Sequence, residues 1–310
     1  MKTRHYNSLK IVNRKVLKTS TRDRIRTEYL WYKKIKEESA ARTPSFSKPS
    51  YKDDTGTFSL ELIEGENLYE LLQKSSAKRD DLQIIINLLK SVTIKMHSIT
   101  AADNNLEDNI ENMYLSKPLD ALEYFYSQEK FTSLKKATSL NVNGKKIRKP
   151  ELIVREVYEY LFDNYKPKPS SLIHGDLTLS NSLFLNNEIF LIDPRGKFGA
   201  TRYYGDSLYD IAKIYFSLVT NFDSLNHHQF KVSTVGDNSF TYEIDEVVDG
   251  RAAVEVFSDN FEYDDKKIAH IVATIWLSLA PHLQESDEQT LVSYLVGAEI
   301  LNELYTKLNK

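Results

Sequence analysis

The chain has 310 residues, 41% hydrophobic and 27% charged, a balance that excludes a collagen-like, low-complexity or wholly disordered protein. Its 41 basic and 44 acidic residues give a net charge of −3, so no global basic excess draws it to nucleic acid or to an anionic membrane. The absence of cysteine excludes disulfides, zinc-thiolate sites, iron–sulfur clusters and thiol nucleophiles. The start, MKTRHYNSLK, is basic but leads into no apolar run. The most apolar stretch, Ile268 to Leu283, contains His270, Pro281 and His282 and is too short to span a bilayer. The expectation is a soluble cytoplasmic protein with no membrane insertion and no nucleic-acid partner.

Residues 9–20 read as two short strands, Leu9, Ile11 and Val12 before a turn at Asn13-Arg14, then Val16 and Leu17. Thr21-Arg22-Asp23 opens a helix that runs to about Glu38, with Ile25, Tyr29, Leu30 and Ile35 as its apolar positions. Residues 40–56, with Pro44, Pro49 and Asp53-Asp54, read as loop and turn, and 57–63 alternates like a strand. Glu64-Gly65 breaks that strand. From Leu68 to about residue 164 the pattern is mostly helical. Leu82, Ile85, Ile86, Leu89, Val92 and Met96 recur in steps of three and four, the apolar face of a buried helix over 80–98. Further helices are expected at 117–126, 152–165, 206–219, 264–280 and 286–307, the last opened by Ser286 as N-cap beside Glu285, Asp287 and Glu288. Pro167 and Pro169 end the first helical run, and residues 230–258, punctuated by Gly236 and Gly250, read as a hairpin.

The chemistry concentrates at 172–196, where a strand, a polar loop, a hairpin around Asn186-Asn187 and a second polar loop follow one another. If 182–185 pairs with 190–192 in antiparallel fashion, Asn181 and Asp193 become neighbours at the open end. An amide oxygen beside a carboxylate suits Mg2+, which takes hard oxygen ligands. Asp176, five residues before Asn181, is placed to accept a proton from a hydroxyl.

His174-Gly-Asp176, Asn181 five residues on, and Ile192-Asp193 resemble the catalytic and metal loops of the protein-kinase-like fold. The His-Gly-Asp form resembles the aminoglycoside phosphotransferase and choline kinase group of small-molecule kinases. The resemblance implies an α+β bilobal fold, with a small, truncated β-rich N-lobe at 1–64 and a large helical C-lobe at 65–310. It also implies roles. Asp176 orients the acceptor hydroxyl and takes its proton, and Asn181 and Asp193 hold Mg2+. Lys18, after Val16-Leu17, grips ATP phosphates with Glu28 as its ion-pair partner. Residues 60–65, through backbone groups of Glu61 and Ile63, bond adenine. His174 organises the loop rather than acting as base, and Asp210, in Tyr204-Gly205-Asp206 to Lys213, braces it. Lys15 and Lys18 lie three apart on one strand, so only one faces the nucleotide. Ile192-Asp193-Pro194-Arg195-Gly196 resembles kinases associated with capsule and lipopolysaccharide genes, which implies a functional link to a sugar nucleotidyltransferase.

The sequence departs from the family's pattern in two places. The first glycine is Gly56, so no Gly-rich phosphate loop precedes Lys18, and Tyr6-Asn7-Ser8 is the candidate for a reduced turn with Ser8 as donor. Thr178 stands where protein kinases place a lysine, and Arg195 is the candidate to supply that cation, with a structural ion pair as the alternative. The expected acceptor is a small-molecule hydroxyl, a sugar, polyol or surface-glycan precursor, in a pocket near Arg195, Tyr203, Tyr204 and 276–285. An aminoglycoside or amino-alcohol kinase and a nucleotide-binding pseudokinase stay open as alternatives.

Overall fold

The computed structural model describes residues 8–75, 78–163, 165, 169–283 and 286–310. The chain divides into two compact units, Met1–Asn104 with Lys168–Asp210 and Glu255–Asn260, and Asn105–Pro167 with Ile211–Val254 and Phe261–Lys310. The architecture is α+β, with the kinase-like arrangement of a small N-terminal sheet and a helical C-terminal half.

In the first unit, β1 (Ser8–Val12) and β2 (Lys15–Thr21) form a two-residue hairpin whose turn residues, Asn13 and Arg14, both have positive φ, 49° and 58°. Such a turn matches the twist of the flanking strands. After α1 (Arg22–Glu38) come β3 (Ser50–Lys52) and β4 (Thr55–Glu61), and the antiparallel sheet has the order β1-β2-β4-β3. The loop expected at 40–56 therefore contains a strand, and β4 starts two residues earlier than the alternation indicated. Helix α1 buries Ile25, Glu28, Trp31, Tyr32 and Ile35, so a polar residue sits within its apolar stripe. The short β5 (Glu66–Asn67) leads into α2 (Leu68–Lys74), where Asn67 Oδ1 accepts the Glu70 N–H at 2.9 Å as N-cap. The helix α3 (Lys78–His97) buries Leu82, Ile85, Ile86, Leu89 and Met96, the face its spacing predicts.

Strand Ser182–Leu185 pairs with Glu188–Leu191 across Asn186-Asn187, φ 54° and 58°, and its other edge pairs with β5, Leu183 opposite Asn67. The chain just beyond Gly65 thus belongs to the same sheet as the hairpin that carries the loop chemistry. Gly65 passes so close to that strand that an added Cβ would lie 2.5 Å from the Phe184 carbonyl oxygen.

The second unit is cored by Phe125, Phe131 and Tyr294, which stack at centroid distances of 4.3 Å. Helices Lys117–Ser127, Pro150–Phe162, Asp265–Leu277 and Asp287–Leu308 surround them, and Ser286 Oγ caps the last by accepting the Gln289 N–H at 3.2 Å. Three expectations need correction. Ser139–Val142 and Lys145–Arg148, inside the stretch read as helical, form a hairpin with Asn143-Gly144 as its turn, φ 50° and 80°. The hairpin at 230–258 ends at Ile244, and Gly250–Asn260 is a helix, because Ala253, Val256 and Phe257 recur at helical spacing and are buried. Trp276, expected near the acceptor pocket, is a core residue. It is fully buried against Phe216 and Phe222, with Nε1 donating to Thr220 Oγ1 at 2.9 Å. Glu285 and Pro167 lie outside the described residues.

Gly65→Ala should lower unfolding free energy by about 1–3 kcal/mol through the clash with the Phe184 carbonyl. Urea denaturation measures it, and an unchanged midpoint would mean the backbone there yields freely.

Candidate active site

The site is built on the loop that follows strand Ser170–Leu172. Asp210, fully buried, accepts the backbone N–H groups of His174 and Gly175 at 2.8 Å each, one on each oxygen. His97 Nε2 lies 3.4 Å from the same carboxylate. Gly175 has φ +78°, a conformation that favours glycine. The His174 ring is fully buried: Nε2 donates to the Ile192 carbonyl at 3.0 Å and Nδ1 accepts the Asp176 N–H at 3.2 Å. Both nitrogens are thus used, and burial pulls the imidazole pKa below its ordinary value. His174 is neutral and joins the loop bearing Asp176 to the loop bearing Asp193. Trp31 closes this layer, its indole edge-on to His174 and its Nε1 donating to the Ile173 carbonyl at 2.7 Å.

Asp176 and Asn181 meet across the loop. Asn181 Nδ2 donates to the Asp176 carbonyl at 2.9 Å and to its carboxylate Oδ2 at 3.2 Å. Those bonds fix the amide and leave Oδ1 turned away from Asp176. The Ile192 N–H donates to the Asn181 carbonyl at 3.0 Å, which sets Asp193 beside Asn181 at the open end of the hairpin. Thr178 is buried, its N–H donating to the Asp176 carbonyl at 2.9 Å.

Lys18 Nζ lies 2.7 Å from Glu28 Oε2 and 2.6 Å from Asp193 Oδ1. Lys15 is exposed, so the strand register puts Lys18 inside. Burial opposes the Lys18 charge, but Asp193 and Glu28 together outweigh it and raise its pKa above the ordinary lysine value. Two carboxylates share this one ammonium, and the more buried of them is harder to ionise. Burial pushes the Glu28 carboxyl up to about 7, with Lys18 opposing. Asp193 has φ 54°, and its N–H donates to the Tyr32 hydroxyl at 3.2 Å. Burial raises the Tyr32 pKa well above its ordinary value, so the hydroxyl stays protonated.

Arg195 is half-buried. Its N–H donates to the His174 carbonyl at 3.0 Å, and Nη1 donates to the Tyr209 hydroxyl at 3.1 Å. Ser8 is an exposed residue of β1 opposite Thr19, in a strand rather than a turn, while Tyr6 and Asn7 lie outside the described residues. The Glu61 N–H is occupied by the Ser45 carbonyl at 2.8 Å and the Leu62 N–H by Arg14 at 3.0 Å. Among the described residues, neither backbone group of Ile63 has a hydrogen-bond partner. The structure thus gathers Lys18, Glu28, Asp176, Asn181, Asp193 and Arg195 around two loops, and Ser8, Glu61 and Ile63 touch none of these side chains in the bonds described.

Sequence reasoning missed Tyr32, Trp31 and His97. Tyr32 lies four residues after Glu28, on the same face of α1, which was the available signal. Among the described residues no group of three or more His, Asp or Glu side chains is arranged to hold a metal. The donor set that fits a hard cation is instead the Asn181 amide oxygen with the Asp193 carboxylate, and the bonds from Nδ2 to Asp176 present that oxygen.

No family model matches the chain, and no curated protein matches it in sequence. Solved structures match its fold. A thermostable mutant of aminoglycoside phosphotransferase APH(4)-Ia superposes with a TM-score of 0.59 at 11% identity, over 95% of this chain and 89% of that one. The fold is that of the aminoglycoside phosphotransferases. APH(2")-IIia in complex with GDP and kanamycin gives 0.58 at 15% identity, over 99% and 92%. A proposed fructosamine-3-kinase from Haemophilus somnus 129PT gives 0.56 at 12% identity, over 94% and 83%. At these identities the likeness is one of fold, and the chemistry rests on the side chains above.

Tyr32→Phe removes the acceptor of the Asp193 N–H while keeping the ring. It should cost about 1–3 kcal/mol of stability and weaken Mg2+-dependent nucleotide binding. Thermal denaturation with calorimetric titration of Mg·ATP checks both, and wild-type values in each would remove Tyr32 from the support of the metal loop.

Proposed function

We propose that this chain is an ATP- and Mg2+-dependent kinase that phosphorylates a hydroxyl of a small molecule, a sugar, polyol or surface-glycan precursor. The observation that carries the reading is the convergence of Lys18, Glu28 and Asp193 beside Asn181 and Asp176. Phosphoryl transfer needs positioning and charge neutralisation more than covalent chemistry. In this reading Lys18, steadied by Glu28, holds the α- and β-phosphates. Asn181 Oδ1 and the Asp193 carboxylate would hold Mg2+, which would supply positive charge to the polyphosphate. Asp176 orients the acceptor hydroxyl and takes its proton late. The Asn181 amide on its carboxylate keeps one oxygen aimed. Arg195, anchored by its backbone to His174, offers a guanidinium to the γ-phosphate. Ile63, whose backbone groups are unbonded among the described residues, and the neighbouring Glu61 carbonyl serve the adenine, and Ser8 lies at the start of the strand beside Lys18.

Proteins of this fold support the nucleotide: APH(2")-IIa holds ATP with streptomycin, and APH(4)-Ia holds AMP-PNP with hygromycin B. The resemblance of Ile192–Gly196 to capsule-associated kinases supports a glycan precursor, and with it a functional link to a sugar nucleotidyltransferase. A second reading, a pseudokinase that binds nucleotide without turnover, is favoured by the lack of any glycine before Gly56.

ADP release from Mg·ATP in the presence of a hydroxyl acceptor separates the two. Asp176→Asn should abolish it while leaving ATP affinity within a few-fold, because the base meets the acceptor and not the nucleotide. Asp193→Ala should remove Mg2+-dependent binding, and calorimetry showing Mg·ATP affinity unchanged would overturn the metal assignment.

Arg195→Lys keeps the charge but loses the fork. It should lower kcat/KM roughly tenfold, about 1.4 kcal/mol, without a fall in melting temperature. Full activity in a folded Arg195→Met variant would leave Arg195 a structural residue.

A further inference from the structure

The segment between the metal loop and the bracing helix is one-sided in charge. From Pro194 to Gly205 it carries Arg195, Lys197 and Arg202 and no Asp or Glu. It also lies on the catalytic loop. The N–H groups of Arg195 and Gly196 both point at the His174 carbonyl, at 3.0 and 3.4 Å, and the Ile173 N–H donates to the Tyr203 carbonyl at 2.9 Å. A Cβ on Gly175 would lie 3.0 Å from Arg195 Cβ and 3.3 Å from the Lys197 carbonyl oxygen. The residue before Asp176 is therefore covered by this basic segment.

Within it, strands Lys197–Phe198 and Thr201–Arg202 pair so that Lys197 stands directly opposite Arg202. Like charges at directly opposed positions destabilise a β-ribbon. The internal compensation is weak. Arg202 reaches Asp23 only at 3.9 Å, with both side chains well exposed, and Lys197 has no ion-pair partner among the described residues. The ribbon is held in place at a backbone cost. Gly196, at φ +66°, takes that conformation freely, but Tyr203, a bulky residue, is held at φ 64°, with its N–H returning to the Gly196 carbonyl at 3.0 Å. Two directly opposed cations thus stand on the segment that covers Gly175, with only the long, exposed pair to Asp23 set against them. Of the carboxylates that flank the segment, Asp193 is paired with Lys18, and Asp206 is buried and accepts the Leu208 N–H at 3.1 Å.

We infer that the hydroxyl acceptor is itself an anion, a small sugar or polyol that already carries a phosphate or a carboxylate, bound through Lys197 and Arg202. This rests on the kinase reading above and deepens it. A polyamine acceptor would bring cations against three cations. An acidic group of the acceptor against Lys197 and Arg202 leaves a second hydroxyl to face Asp176. The transfer moves the γ-phosphoryl from ATP to that oxygen: the bond to the β-phosphate oxygen breaks, a bond to the acceptor oxygen forms, its proton passes to Asp176, and ADP leaves.

The test uses the full chain with glucose, galactose and mannose, each as neutral sugar, 6-phosphate, uronate and 2-amino sugar. ADP release gives kcat/KM, and thermal shift without ATP gives acceptor binding. An anionic form should exceed its neutral and amino counterparts by about tenfold or more in kcat/KM, and the phosphate and uronate arms tell which anion is read. The Lys197→Gln/Arg202→Gln double variant should lose that preference through acceptor KM. Its Mg·ATP affinity should be unchanged and its ligand-free melting temperature no lower than wild type, since repulsion is relieved. Preference for neutral or amino sugars, or an anion preference that survives in the double variant, would overturn the inference. Failure of wild type to bind Mg·ATP would sink the kinase reading instead. The anion site is then judged by the thermal shift alone: a shift with either anion that the double variant loses sustains it, and no shift ends it.

Discussion

One ammonium group holds the candidate site together. Lys18 comes from β2, Glu28 from α1 and Asp193 from the loop after strand Glu188–Leu191, and they meet within 2.7 Å. The junction ties two consecutive elements, β2 and α1, to a loop about 155 residues further on. Removing one partner of a buried ion pair costs on the order of 3–5 kcal/mol when the remaining charge cannot escape. Here Glu28 has an escape: burial pushes its carboxyl up to about 7, so it takes up a proton rather than stay charged and alone. The junction is therefore a device for placement more than for stability. It holds Asp193 against the Lys18 ammonium.

Around that junction a second layer of bonds runs through the backbone. Asp210 fixes two consecutive N–H groups, His174 joins Asp176 to Ile192, and Tyr32 receives the Asp193 N–H. None of these side chains needs to touch a substrate. Each satisfies a main-chain group in a loop that has left regular structure, where an unpaired buried group would cost about 1–3 kcal/mol. Helix α1 contributes to both layers from one face. Glu28 and Tyr32, one turn apart, hold the lysine and the metal loop, so a shift of α1 would displace both together.

Much of this was legible because it lies in a short window. Asp176, Asn181 and Asp193 fall within eighteen residues, and the hairpin between them has a turn, Asn186-Asn187, whose residue types accept positive φ. The choice of Lys18 came from the resemblance of Val16-Leu17-Lys18, with strand alternation requiring that Lys15 face the other way, and α3 followed from its three-and-four spacing. What stayed hidden had no local signature. Tyr32 acts through one hydroxyl from a helix face that otherwise reads as core. The strands at 139–148 are four residues each, too short for alternation to stand out from a helical neighbourhood, although Asn143-Gly144 was a usable turn signal. Trp276 looked like a pocket residue because aromatic residues serve both purposes, and only burial tells them apart.

Formal charge explains why the segment after Asp193 matters so much. Lys18 sets one positive charge against Glu28 and Asp193, and Asp176 adds a further negative one nearby. A nucleoside triphosphate brings several more. Lys18 cannot neutralise its two carboxylates and a polyphosphate at once, and with no glycine before Gly56 the sequence offers no Gly-rich loop of N–H donors upstream of Lys18. Positive charge has to enter from elsewhere. In the proposed reading a divalent ion, held by Asn181 and Asp193, would be one source. Arg195 is the other. Its bond to the Tyr209 hydroxyl orients the guanidinium. The carboxylates and the amide gathered around Lys18 leave the site short of positive charge, and the sequence that follows Asp193 runs through Arg195, Lys197 and Arg202 with no acidic residue between them.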